Sequence, residues 1–187
     1  VNEELPSSKI LQILSKKNNI ITVTGSKTKN FLMTQGFSET KIRIVPSYVE
    51  VDKFKPKKTS KKYDLIFIGS LNKNKQVDLI IDAFSKLSSN CKMIILGSGN
   101  LKETYISHAN KIGVSDRVTF AGYQKDVQKY LHKSKVLVLA SKSEGLPQCV
   151  MEAMSCGLPC VVPKINDITD LVIDKENSFF FNSTNTE

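Results

Sequence analysis

Two carboxylates, Glu144 and Glu152, are the side chains of this sequence whose setting is best suited to chemistry. The apolar run 136–140 that precedes them is typical of a buried parallel strand. A helix then begins at Pro147 and ends before Gly157, because proline is tolerated in a first helical turn and glycine favours a helix end. We therefore expect Glu144 on the loop at the carboxyl end of a strand, and Glu152 inside a helix among apolar neighbours.

The positions of these two glutamates indicate a binding site. A glutamate on a helix is most often exposed to solvent, but the neighbours of Glu152 are almost all apolar. An unpaired buried carboxylate is costly, so Glu152 should face a cleft or have a partner. Glu144 should lie where open α/β sheets bind their ligands, at the carboxyl ends of the strands.

A second candidate loop, Gly69 to Lys75, follows the predicted strand 63–68. Gly69 allows a ligand to approach the backbone closely, and Lys75 is expected to begin the next helix, where an anion is favoured. A P-loop would need glycine and then serine or threonine at the positions of Asn74 and Gln76, so that motif is absent. A dinucleotide fingerprint is also absent, because only its first glycine is present.

The arrangement of strands and helices should bring these two loops together. Strands alternate with helices from residue 63 onward, which predicts an α/β fold with a doubly wound, parallel, six-stranded Rossmann-like sheet. In the strand order 3-2-1-4-5-6 the first and fourth strands are neighbours, so the loops that follow them meet. The expected strands are 63–68, 92–96, 118–120, 136–140, 160–162 and 179–181.

Residues 143–159 resemble the E-x7-E signature of retaining glycosyltransferases of family 4, which have the GT-B fold. The pattern of that signature is S-E-G-[F/L]-P-x-x-x-x-E-A-M-x-x-G-x-P, and every fixed position matches. The loop after the first strand is similar to the family pattern G-R-L-x-x-x-K, with Ser70 where the family has arginine.

The resemblance implies roles for individual residues toward a nucleotide-diphosphate sugar. Glu144 would lie beside the sugar ring and Lys75 would hold the diphosphate, and these two are the catalytic candidates. Glu152 would accept hydrogen bonds from the ribose hydroxyls. The other donor-binding candidates are Gly69, Ser70, Gly97, Gly99, Tyr123, Gly145, Leu146 and Pro147.

The activity implied by the resemblance is transfer of a hexose with retention from a UDP- or GDP-sugar to a hydroxyl of a glycan or glycolipid, as in polysaccharide biosynthesis. The resemblance implies no metal and no cofactor besides the donor substrate, and the sequence has no D-x-D motif. The alternative is a non-catalytic nucleotide-sugar-binding module or pseudoenzyme, which Ser70 favours and the intact E-x7-E pattern disfavours.

The resemblance also predicts how the chain is divided. Residues 1–47 are expected to be a remnant of the N-terminal, acceptor-side domain, and residues 48–62 a lysine-rich linker. Residues 63–187 would form the nucleotide-sugar-binding domain without the family's final C-terminal helix. The facing domain would be missing, so we expect the isolated chain to bind donor and to transfer no sugar.

The net charge of +9 is partly a local feature, because six lysines fall within residues 53–62. Such a run is ordinarily a solvated loop, and contact with an anionic membrane surface is the functional alternative. Nucleic acid is disfavoured because few aromatic residues flank the run. No apolar run approaches the ~20 residues of a membrane span, and no signal peptide is visible. We therefore predict a cytoplasmic protein that is peripheral at the inner face of the membrane if the lysines bind lipid.

The cysteines predict no metal site. Cys91, Cys149, Cys156 and Cys160 include no C-x-x-C pair and do not group with a histidine. Their mostly apolar surroundings indicate buried, reduced thiols.

Overall fold

A computed structural model of the chain describes residues 20–181 of the 187. Its contacts divide the chain into two compact units, Val1–Ser47 and Tyr48–Glu187. In the part of the chain that is described, no helix has the length and apolar character needed to cross a membrane.

The smaller unit pairs two short parallel strands around one helix. Strand β1 is Ile21–Val23, helix α1 is Ser26–Thr34 and strand β2 is Ile42–Ile44. Ser26 is expected to cap α1, but it is the first helical residue, and Gly25 occupies the cap position without a side-chain bond. The small core consists of Val23, Leu32, Phe37 and Ile42.

The larger unit contains a parallel six-stranded sheet in its described residues, in the order β5-β4-β3-β6-β7-β8. Counted from the first strand of this sheet, that order is 3-2-1-4-5-6, which confirms the predicted topology. The strands are β3 (Tyr63–Ile68), β4 (Met93–Leu96), β5 (Val118–Gly122), β6 (Ser134–Val138), β7 (Cys160–Pro163) and β8 (Phe179–Phe181).

Four helices of the larger unit connect these strands within the described residues. They are α2 (Val77–Ser85), α3 (Lys102–Lys111), α4 (Gln128–Leu131) and α5 (Gln148–Ser155). The apolar residues of α2 recur at spacings of three and four, and the resulting stripe of Val77, Ile80, Ile81 and Phe84 is buried in the main core. The sequence favours a helix over residues 125–133, and the structure confines α4 to Gln128–Leu131.

The segment 48–62 belongs to the larger unit: its first residues lie beside α5, and its later residues pack at the end of the sheet where β3 and β6 begin. Phe54 is buried in the main core, and the Ser155 hydroxyl donates to its carbonyl. The Thr59 hydroxyl donates to the His132 carbonyl at 2.6 Å, and the His132 ring contacts the Lys55 carbonyl at 2.9 Å. The lysine side chains of this segment remain exposed. The backbone of the segment is therefore fixed while its charges face solvent.

Candidate functional site

Lys75 and Glu144 form an ion pair at the carboxyl edge of the sheet. The Lys75 ammonium donates to Glu144 Oε1, and the two side chains are only 17% and 12% exposed. The two residues are 69 positions apart in sequence, and they meet because β3 and β6 are adjacent in the sheet. The sequence prediction that the lysine loop and the glutamate loop come together is therefore confirmed.

Lys75 does not begin helix α2, so that part of the prediction is wrong. It ends a short 3-10 turn, Lys73–Lys75, and Gln76 separates this turn from α2 with left-handed torsion angles, φ 45° and ψ 49°. The Asn72 side chain accepts bonds from the backbone N–H groups of Asn74 and Lys75, at 3.0 and 3.2 Å. These two amides already have partners within the turn, so an anion at this loop would meet the Lys75 ammonium rather than either of them.

Asparagines that the sequence analysis did not single out join the two loops. The Asn74 amide exchanges two hydrogen bonds with the Ser143 backbone: its Nδ2 donates to the Ser143 carbonyl at 2.9 Å, and its Oδ1 accepts from the Ser143 N–H at 3.2 Å. From the other side, Asn166 Nδ2 donates to the Glu144 carbonyl at 2.9 Å. Asparagine is a common turn residue, so the sequence signal for these bonds is weak.

The predicted glycines make close backbone packing possible between the loops after β3 and β4. A Cβ at Gly97 would lie 1.8 Å from the Gly69 carbonyl oxygen, and one at Gly99 would lie 2.3 Å from the Leu71 carbonyl oxygen. Both glycines also have positive φ, 144° and 158°. The structure therefore places Gly69, Gly97 and Gly99 together, and it gives the last two a packing role.

The remaining loop candidates line the same edge of the sheet with different exposures. Ser70 is exposed, and its hydroxyl accepts a bond from Asn72 Nδ2 at 3.1 Å. Tyr123 is 74% exposed and follows Gly122, whose carbonyl accepts from the Gly97 N–H at 2.8 Å. In the glutamate loop Gly145 is exposed, Leu146 is half-buried and Pro147 is buried directly before α5.

Glu152 is half-buried on α5, one turn after Cys149, which lies beside the Lys75–Glu144 pair. Burial raises the pKa of its carboxyl group, and Glu50 raises it further, whereas Gln148 and Lys53 act in the opposite direction. Gln148 Nε2 lies 3.5 Å from Glu152 Oε1 and only 2.9 Å from the Tyr48 carbonyl, so the carboxylate has one weak hydrogen-bond partner. The raised pKa and the weak partner leave this carboxylate able to gain a better donor.

Cys149 lies beside the ion pair but is not a nucleophile candidate. Its burial raises the pKa of its thiol to about 12, although Lys75 opposes this effect. Burial likewise raises the thiol pKa of Cys160 to about 12 and that of Cys156 to about 11. A thiolate is the reactive form of cysteine, so these thiols are protonated and inert near neutral pH.

A cavity of about 490 Å³ lies beside α2 and α3. Lys73 lines it together with Gln76, Tyr105 and Lys142, whereas Lys75 and Glu144 are not among its lining residues. His108 also lines this cavity and pairs with Asp82 at 2.6 Å. Among residues 20–181 no cluster of three or more histidine, cysteine, aspartate or glutamate side chains could hold a metal ion.

Comparison with known proteins identifies similar sequences over most of the chain. The sequence model of the Glycosyl transferases group 1 family matches residues 48–187. An uncharacterized glycosyltransferase of Methanocaldococcus jannaschii, MJ1059, is 33% identical over an alignment of 161 positions that covers 78% of this chain and 40% of that protein. The lipopolysaccharide 1,6-galactosyltransferase of Escherichia coli is 28% identical over an alignment of 144 positions that covers 73% of this chain and 40% of that protein. The chain thus spans well under half the length of these relatives.

Solved structures share the fold at low sequence identity. The UDP complex of Anabaena Alr3699/HepE has a TM-score of 0.86 and 17% identity, over 97% of this chain and 56% of that one. TarM has a TM-score of 0.84 and 22% identity, over 96% of this chain and 36% of that one. The six-stranded parallel sheet is therefore that of GT-B glycosyltransferase structures, as predicted.

Proposed function

Because the chain belongs to the Glycosyl transferases group 1 family, we propose that it is the donor-binding part of a retaining glycosyltransferase of family 4. The donor is a nucleotide-diphosphate sugar of the UDP or GDP type, and the transferred sugar is a hexose. The acceptor is a hydroxyl of a glycan or glycolipid, bound with the help of a facing domain. Residues 1–47 are proposed to be part of that acceptor-side domain.

The observation that carries this proposal is the Lys75–Glu144 pair at the carboxyl edge of a parallel sheet. Open α/β sheets bind nucleotides at this edge, where the strand order reverses, and here the reversal lies between β3 and β6. A half-buried lysine ammonium is suited to a diphosphate, because a charged hydrogen bond gains strength where water is partly excluded. The UDP complexes of the structurally similar Alr3699/HepE support the choice of ligand.

The proposed chemistry is stabilisation of a departing diphosphate. The bond between the anomeric carbon and the diphosphate oxygen breaks as the acceptor hydroxyl oxygen bonds to the same carbon, and the hydroxyl proton passes to the departing diphosphate. Lys75 stabilises the negative charge that develops on the departing oxygen. A diphosphate that binds Lys75 displaces Glu144 from its present partner. Glu144 is then available to the sugar, while Glu152 accepts hydrogen bonds from the ribose hydroxyls. Gly145, Leu146 and Pro147 border the diphosphate, and Tyr123 borders the base.

A second candidate is a nucleotide-sugar-binding module without catalysis, and Ser70 is the observation that favours it. Arginine can form two parallel bonds to phosphate oxygens, whereas the exposed Ser70 hydroxyl offers one neutral donor. Ser70→Arg, measured in the full-length enzyme, separates the two candidates. A catalytic site should gain donor affinity and keep its transfer rate, whereas a binding module should gain affinity and transfer no sugar.

A calorimetric panel tests the proposed function. The chain is titrated with UDP-, GDP-, ADP- and CMP-sugars, and with UDP and GDP alone. We expect one nucleotide class to bind, with most of the affinity retained by the free diphosphate. Absence of binding to every member of the panel contradicts the proposed function.

We further propose that the exposed lysines of segment 48–62 make a peripheral contact with an anionic membrane. Residues 53–63 contain no carboxylate, and the segment is fixed to the end of the larger unit where β3 begins. Lysines attract anionic lipid by charge alone, at about 1 kcal/mol each. The Lys75–Glu144 pair lies at the opposite ends of these strands, about 20 Å away for a six-residue strand, whereas Lys53 lies close enough to Glu152 to lower its pKa and is left out of the proposed contact. Adsorption through the lysines would therefore leave the donor site open.

A further inference from the structure

We propose that Asn74 is the positioning residue of the candidate donor site, one that sets the distance between the diphosphate-binding lysine and the sugar-side glutamate. This inference rests on the proposed function, since it assigns Lys75 and Glu144 to the donor. It concerns a residue that does not itself meet the donor. Asn74 acts through its two neighbours in space, the backbone of Ser143 and the turn that carries Lys75.

Three hydrogen bonds join Asn74 to the glutamate loop. Its side chain exchanges two bonds with the Ser143 backbone, at 2.9 and 3.2 Å, and its own carbonyl accepts from the Lys142 N–H at 2.8 Å. The paired residues of β3 and β6 end at Ile66 and Leu137. Asn74 therefore adds hydrogen bonds between the segments that follow β3 and β6, beyond the last residues that are paired in the sheet.

The position of Asn74 in the chain determines what this junction does. Asn74 directly precedes Lys75, and Ser143 directly precedes Glu144. The bonded pair Asn74–Ser143 and the ion pair Lys75–Glu144 are thus adjacent links between the same two loops. When a diphosphate displaces Glu144 from Lys75, the ionic link is lost and the Asn74 link remains. Asn74 then holds both loops at the spacing that the donor has to fit.

The chemistry of an amide suits this task better than that of the alternatives. The Ser143 backbone offers one acceptor and one donor to Asn74, and a primary amide supplies one of each. An aspartate would keep the acceptor, lose the donor and place a negative oxygen against the Ser143 carbonyl. Asn166 supports Glu144 from a third loop, through its 2.9 Å bond to the Glu144 carbonyl, but it makes only donor contacts there.

The test compares Asn74→Ala and Asn74→Asp with the wild-type 187-residue chain and with Asn110→Ala, an exposed asparagine on α3 as matched control. Two signals are read by NMR, the Lys75 ammonium nitrogen and the Glu144 carboxyl carbon. UDP affinity is read by calorimetry and folding by thermal unfolding. We expect Asn74→Ala to shift both NMR signals toward those of solvated side chains and to weaken UDP binding about tenfold. Asn74→Asp should change the two NMR signals and the UDP affinity in the same direction as Asn74→Ala, and Asn110→Ala should match the wild type in each measurement.

The outcomes separate this inference from the proposed function. If the wild type binds no nucleotide, the proposed function fails, and the two NMR signals still decide whether Asn74 sets the Lys75–Glu144 geometry. If Asn74→Ala does not fold, the near-isosteric Asn74→Asp variant carries the test. A folded variant at position 74 that keeps both NMR signals and the wild-type UDP affinity would overturn the positioning role.

Discussion

At the scale of single residues, Lys75 has a protein partner that the donor must displace. Its half-buried pairing with Glu144 gives neither charge its full hydration. A diphosphate carries more negative charge than one carboxylate and can accept from the same ammonium. The exchange replaces one charged hydrogen bond with another, so the net affinity should be modest. Lys75 should still contribute more to nucleotide affinity than Lys73, the other lysine of the turn.

The first prediction compares Lys75→Ala with Lys73→Ala. Lys75→Ala removes the ammonium that meets the diphosphate and should weaken nucleotide binding about 10- to 150-fold, which corresponds to a charged hydrogen bond of ~1.5–3 kcal/mol. Lys73→Ala is the matched control, because Lys73 lines the cavity beside α2 and α3. Calorimetry with UDP or GDP measures the nucleotide affinity of both variants. Loss of binding in Lys73→Ala with little change in Lys75→Ala would mean that Lys73 is the phosphate-binding cation.

For Glu152→Gln we predict that nucleotide binding weakens while the stability of the folded chain increases. Glu152→Gln keeps the shape of the side chain but removes the charge, so nucleotide binding should weaken about 10- to 150-fold if Glu152 accepts from ribose. Burial raises the carboxyl pKa, so ionisation of Glu152 in the folded chain costs stability. Glu152→Gln should therefore be more stable than the wild type above the raised pKa.

The sign of the pH dependence follows from the raised pKa. Between the unfolded value of 4.5 and the raised folded value, the folded chain binds more protons than the unfolded chain, so wild-type stability falls as pH rises through this window. Below 4.5 both variants are neutral at this position, and their stabilities should converge. Denaturant unfolding at pH 4 and pH 7 measures the difference. A glutamine variant that is less stable at pH 7 contradicts this account of Glu152.

At the scale of elements, the loops after β3 and β4 support each other through backbone contact. Gly97→Ala should destabilise the larger unit by at least about 3 kcal/mol, because it combines overpacking against a carbonyl with a backbone conformation that disfavours side chains. Gly113→Ala is the control: its φ is also positive, 74°, but a Cβ there would meet nothing within 4 Å. Gly113→Ala should lower the free energy of unfolding by only about 1–2 kcal/mol. Equal losses in denaturant unfolding would show that conformation alone explains the Gly97 effect.

The sequence is informative about the order of elements and much less so about the loops between them. The apolar runs and the alternation of strands and helices predicted the sheet and its order, because the right-handed crossover rule leaves few arrangements. The start of α2 was not predictable, since a glutamine rarely adopts the left-handed conformation of Gln76. The Asn74–Ser143 junction was not predictable either, because it depends on the spacing of two loops 69 residues apart.

At the scale of the whole molecule, exposed lysines cluster at the end of the larger unit where β3 and β6 begin. The Lys55 carbonyl and the Lys61 ammonium contact His132, and the backbone N–H of Lys62 donates to the Lys133 carbonyl at 2.8 Å. None of the exposed large hydrophobic residues lies within 53–63 or 128–135. Binding of this surface to lipid should therefore be electrostatic, reversible and sensitive to salt.

The membrane proposal predicts binding of the chain to vesicles that contain anionic lipid, and none to neutral vesicles. The triple variant Lys57→Gln, Lys58→Gln, Lys62→Gln should reduce vesicle affinity by up to about 150-fold, at ~1 kcal/mol per lysine. The control triple Lys125→Gln, Lys142→Gln, Lys164→Gln removes the same charge from exposed sites that follow the carboxyl ends of β5, β6 and β7. Equal loss in both triples would show a response to net charge rather than to this surface. Binding to DNA in preference to anionic vesicles would assign the surface to nucleic acid.

An NMR titration of the ¹⁵N-labelled chain with UDP and with GDP tests directly whether the carboxyl edge of the sheet binds the donor. We predict that one of them shifts backbone amide signals in two loops, 69–75 and 141–152, and that the matching nucleoside without phosphates shifts them far less. We also predict that Lys75→Ala abolishes most of the response in both loops. If millimolar UDP and GDP leave both loops unchanged, or if the shifts appear instead at residues 53–63, the carboxyl edge of the sheet is not a donor site.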